Sequence, residues 1–112
     1  MANYQNVTPV RLGQAAILAT VTTIYIAPAL SRVYLKNIDV ANTTSTQKDL
    51  DIYLVPAGGT AGTSNAITYT LAVPAYTTYQ WRGVQIMNAS DTIQVRGSAA
   101  GLTITASGGQ AI

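Results

Sequence analysis

The sequence holds 112 residues, of which 48% are hydrophobic and only 9% charged, with six Lys and Arg set against four acids. That is one domain's worth of chain, with far less charge than the roughly 25% of ordinary soluble domains. It has no Cys and no His, so thiolate nucleophiles, disulfides, ordinary zinc or haem ligation and an imidazole base are excluded within these residues.

Residues 1–10 are polar and irregular (Asn3, Gln5, Asn6) and read as an extended N-terminal arm, with the domain proper over 11–112. No residue from Leu12 to Ser31 is charged, but Gln14, Thr20, Thr22, Thr23, Tyr25 and Pro28 dilute the stretch too far for a membrane-spanning helix. A signal-peptide reading has Arg11 and the small-residue site Ala27-Pro28-Ala29 in its favour. Its apolar region is poor, and we set it below mature β-structure, with strands over Gln14–Thr20 and Thr22–Ile26. Arg32 to Thr44 is a further strand whose phase slips between Val33/Leu35 and Ile38/Val40, which predicts a bulge near Lys36-Asn37. Asn42 to Thr46 is a polar turn. From Asp49 to Val55, Leu50, Ile52 and Leu54 alternate with Asp51 and Tyr53, the pattern of a half-buried antiparallel strand.

The glycine-rich stretch from Pro56 to Asn65 is a loop; it lacks the Lys-Ser or Lys-Thr and the helix that a phosphate-binding loop requires. Ile67, Tyr69, Leu71 and Val73 alternate up to Pro74, which stops the strand. Tyr76 to Ile86 follows, with a second phase shift at Gly83, and then Thr92–Arg96 and Leu102–Ala106, after which Gly108-Gly109 begins a tail. The fold class is therefore all-β, a single antiparallel β-sandwich, jelly-roll or Ig-like, of about eight short strands.

No catalytic, cofactor-binding or metal-binding residues emerge, and the chain is expected not to be an enzyme. Asp49 and Asp51 with Lys48 read as a solvated charge cluster, since a lone Asp-x-Asp supplies few of the oxygens calcium needs. Hydroxyls abound without an activating base. The six cations are scattered, against nucleic-acid binding, and nothing calls for a membrane. Alternation puts the Tyr53 ring opposite Ile52 and Leu54, a candidate exposed aromatic, and Tyr76 is a second; exposed tyrosine suits an interface better than a sugar platform. Three Asn-x-Ser/Thr triplets (at Asn6, Asn42 and Asn88) are chance-level in so threonine-rich a chain.

Three stretches, Ile24 to Ala29, Arg32 to Thr43 (RVYLKNIDVANT) and Ile52 to Ala61 (IYLVPAGGTA), resemble small all-β virion structural proteins of tailed bacteriophages. Such proteins are of capsid decoration or cement, head-fibre or tail type. The likeness spans Leu12 to Gly108 and lies in turns and strand ends, so it speaks to fold more than to location. It implies a virion role and transfers no catalytic residues. On it rests the expectation of a capsid decoration protein on the outer surface of the phage head, made in the host cytoplasm. Its partners would be the major capsid protein and further copies of itself. A tail or fibre component, or a carbohydrate-binding adhesion module, is the alternative. The expected contacts are Tyr4, Val7, Val10 and Arg11 near the arm, with Tyr53 and Tyr76.

Overall fold

Period-2 patterning rich in Thr, Val, Ile and Tyr folds into strands nearly throughout the computed structural model, which describes residues 7–111. The strands are β1 (Val7–Ile17), β2 (Thr22–Ile26), β3 (Arg32–Asn42), β4 (Lys48–Val55), β5 (Ala66–Val73), β6 (Thr78–Met87), β7 (Thr92–Gly97) and β8 (Leu102–Ala111). They form two four-stranded antiparallel sheets, ordered β1-β8-β3-β6 and β2-β7-β4-β5. Since β1 pairs with β8, β2 with β7, β3 with β6 and β4 with β5, the first half of the chain runs against the second as one long hairpin wrapped over itself. That is a jelly roll, which decides between the two sandwich alternatives.

The inner faces meet in a core of Leu12, Ile17, Val33, Leu35, Ile38, Val40, Met87, Leu102 and Ile104 from the first sheet and Leu50, Ile52, Val73, Ile93 and Val95 from the second. Each such side chain contributes roughly 1.5–3 kcal/mol by leaving water. Asn42, buried at the end of β3, donates from Nδ2 to the carbonyls of Thr46 and Val73 and accepts from Thr44, so the turn after β3 is built around it. At the other end of the sandwich, the Asp91 carboxylate accepts from the amides of Ala57 and Asn88 and ties two loops together.

The expected phase slips are real, and they line up. Leu35 pairs with Gly108 and Asn37 with Ser107, so Lys36 is an extra residue of β3 against β8. On the other side, Leu35 pairs with Gln85 and Asn37 with Arg82, so β6 carries the extra residue at Gly83-Val84. Arg11 pairs with Ser107 and Gly13 with Ala106, which makes Leu12 an extra residue of β1. A row of bulges thus crosses the whole first sheet at one level, and each bends its strand and resets its phase. This is how Val33, Leu35, Ile38 and Val40 all come to be fully buried.

Three strand ends differ from expectation by three residues or more, the smallest difference being that β1 ends at Ile17 rather than Thr20. β1 starts at Val7 rather than Gln14, so residues 7–10, assigned to the arm, are ladder partners of residues 108–111; residues 1–6 lie outside the described residues. β8 does not stop at Ala106 but continues through Gly108 and Gly109. The reason is space: a Cβ on Gly108 would coincide with the Tyr34 carbonyl oxygen, and one on Gly109 would meet Val7 Cγ1 at 2.8 Å. Glycine here serves close backbone approach at a bulge rather than a turn.

Gly108→Ala is therefore expected to cost at least about 3 kcal/mol, because backbone must move to admit the methyl. The control is Gly62→Ala, where a Cβ meets nothing within 4 Å and stability should barely change. Urea denaturation of the two variants compares them directly; equal stabilities would refute the close-approach argument.

Candidate functional site

On the outward face of the first sheet, the registers place Pro9, Gly109, Tyr34 and Ile86 side by side across all four strands. Val7 lies over Gly109, and both Val7 (56% exposed) and Ile86 (45%) face solvent. Beside this apolar row, the bulge line opens a groove of about 750 Å³ between β1 and β3, with Gly108 and Gly109 lining its β8 side. Arg11 stands on the β1 side and Lys36, the bulged residue, on the β3 side. Ser107 and Asn37, hydrogen-bonded to each other, supply polar lining.

Three of the expected contact residues, Val7, Val10 and Arg11, thus line one groove, although on a paired strand and with Val10 half-buried against the core. Tyr76 is elsewhere: it is 73% exposed, with a φ of 57°, in the loop before β6, where its amide donates to the Thr44 carbonyl. Tyr4 lies outside the described residues. Tyr34, Lys36, Ile86 and Gly109 were not singled out from the sequence. The signal available for Lys36 was the phase slip beside it.

Tyr53 is not exposed; its relative exposure is 5%. Alternation does put it on the outward side of the second sheet, but β4 is a central strand there, and the ring sits between its cross-strand neighbours Gln94 and Ala66. Asp51 is equally buried, so the solvated cluster expected around it is also corrected. β5 carries an extra residue between the partners of Leu50 and Ile52, and Thr70 there adopts a φ of 48°. The amide of Thr70 donates to Asp51 Oδ1 at 2.7 Å, and the Tyr53 hydroxyl donates to Oδ2 at 3.2 Å. Arg96, the cross-strand partner of Asp51, reaches Oδ2 at 3.5 Å. Asp51 is therefore the acceptor that a bulge requires. Burial pushes the Tyr53 phenol above its ordinary range; the charge and hydrogen bond of Asp51 add to this, as does Tyr69, and Arg96 opposes it. Burial raises Tyr25 and Tyr79 as well. No group of three or more acids that could hold a metal ion occurs among the described residues.

No protein-family model matches the sequence, and no curated protein matches it. Solved structures do share its architecture. One comes from the Bacillus endospore appendages, described as a novel family of disulfide-linked pili; it superposes with a TM-score of 0.59 at 20% identity, covering 99% of this chain and 93% of that one. A chain from the structure of infectious bursal disease virus, Gx strain, superposes with a TM-score of 0.54 at 15% identity over 99% of this chain. The present chain spans 33% of that viral chain's length. What these likenesses show is the fold.

Removing the Asp51 carboxylate orphans the Thr70 amide and the Tyr53 hydroxyl, so Asp51→Ala is expected to cost about 2–4 kcal/mol. Arg96 is half-exposed, and Arg96→Gln should cost less than about 1 kcal/mol. If the two variants unfold at the same urea concentration, the hydrogen bonds are not what Asp51 supplies. The raised tyrosines give a second outcome. Folded protein holds those phenolic protons more tightly than the unfolded chain does. Their contribution is therefore complete below the ordinary tyrosine value of about 10 and is lost as pH rises through the raised folded values. Tyr53→Phe should flatten the fall in urea midpoint between about pH 8 and about pH 11; an unchanged slope would exclude Tyr53 as a source.

Proposed function

We propose that this protein is a non-catalytic structural protein of a virion, in particular a decoration or cement protein that seats on the outer surface of an assembled bacteriophage head. The observation that carries this reading is the outward side of the first sheet. It presents an apolar row, beside the groove that holds Arg11 and Lys36, that runs into β6, an edge strand with Val84 and Ile86 exposed. The one acid–base pair there, Asp39 with Arg82, is internally neutralised at 3.1 Å. Free monomers blunt such edges with charge; a subunit that is covered in its assembly has no need to. Because such a subunit binds only the assembled state, it stabilises that state by mass action. The fold likenesses to a spore pilus and to a viral protein support a structural role at the level of architecture.

One observation favours a second reading, a subunit of an extracellular filament or fibre: the mutual coverage with the spore-appendage chain is close to complete, whereas only a third of the viral chain is matched. With no Cys among these 112 residues, assembly through them would proceed without disulfides. A sugar-binding role is weakened, since of Tyr53 and Tyr76 only the latter is exposed.

Purified particles examined by electron microscopy and quantitative mass spectrometry distinguish these readings. Decoration predicts copies spread over the whole head, and particles stripped of the protein should lose DNA at lower temperature. Copies confined to one vertex would reassign it to the tail, and filaments of the protein alone would favour the second reading.

A further inference from the structure

The described cations divide unequally among their partners. Arg82 pairs with Asp39 and Arg96 with Asp51, Lys48 donates to the Thr46 hydroxyl, and Arg32 is engaged as well. Arg11 and Lys36 have no such partner among the described residues, and both line the groove on the outward face of the first sheet. The formal charge of the whole chain is +2. Arg11 and Lys36, neither of them paired with an acid, flank one apolar cleft on strands two apart in the sheet, roughly 10 Å from each other by strand spacing. No acid lines the cleft.

The shape is as informative as the charge. Gly108 and Gly109 keep the β8 side free of side chains, while the exposed Val7 and Pro9 make the β1 wall apolar. Ser107 and Thr105 add hydroxyls on the same strand. We infer that this groove is a docking site for an extended acidic peptide segment of a partner protein, with aliphatic side chains on Val7 and Pro9 and carboxylates reaching Arg11 and Lys36. A nucleic acid fits less well, because two cations neutralise few phosphates. The chain's own Met1–Asn6 contains no acidic side chain, which makes it a poor complement to the two cations.

This inference rests on the structural-protein reading only for the partner's existence, and its test uses the isolated protein, so a silent groove would leave the particle experiment untouched. The full-length ¹⁵N-labelled protein is titrated with a synthetic peptide alternating Val and Asp, with the same peptide bearing Asn for Asp, and with a single-stranded oligonucleotide. The expected result is saturable shifts at the Arg11, Lys36, Ser107 and Gly109 amides with the acidic peptide. These shifts should weaken at least tenfold in affinity for the Arg11→Gln/Lys36→Gln variant and on adding salt. Equal binding of the Asn peptide, tighter binding of the oligonucleotide, or no saturation at millimolar peptide would each overturn it. Concentration-dependent shifts of the same amides without peptide would assign the groove to a second copy and likewise overturn it.

Discussion

The outward face of the first sheet depends on how closely β3 is drawn against β8. Where Lys36 is inserted, the Tyr34 carbonyl moves into the space a side chain on Gly108 would need, and the paired strands tolerate it only because that side chain is a hydrogen. The same level of the sheet is crossed by the bulges at Leu12 and at Gly83-Val84, and Trp81 lays its indole against the bare Gly83. One line of irregularity thus does two things. It resets the phase so that both halves of β3 feed the core, and it opens the cleft between Arg11 and Lys36. Core packing and the candidate docking surface share a single cause.

The second sheet solves a related difficulty with a carboxylate. Each residue inserted into an edge strand leaves an amide without its ladder partner, and a part-buried amide such as that of Thr70 gains from a nearby acceptor. Asp51 takes up the amide of Thr70 and uses its other oxygen for Tyr53, which leaves Arg96 as a half-exposed companion on top. A strand-borne Asp beside a tyrosine therefore need not mean a solvent-facing surface or an ion site. Here it completes the hydrogen bonding of the neighbouring strand.

Much of the architecture was legible in the sequence because inward side chains alternate. The eight strands, the turn at Asn42 and the slips at Lys36 and Gly83 could each be read from neighbouring residues alone. What escaped depends on residues far away in the chain. Val7 to Val10 look irregular until residues 108–111 are placed opposite them, and Gly108-Gly109 look like a strand breaker until Tyr34 is placed above. Tyr53 lies on the side that alternation assigns; only the position of β4 between β5 and β7 shows that this side is covered. Of the groove, Val7, Val10 and Arg11 were named from the sequence for their place near the arm, whereas Lys36 joins them through a pairing order that local pattern does not encode.

Because Val7 stands opposite Ala111 in the ladder, the polypeptide enters and leaves the sandwich at the same corner. Any sequence attached before β1 or after β8 would emerge there, a few ångströms from the cleft. Tethering by either terminus, to a tag, a support or a neighbouring module, would then orient the molecule with this corner toward the anchor and the loop bearing Tyr76 pointing outward.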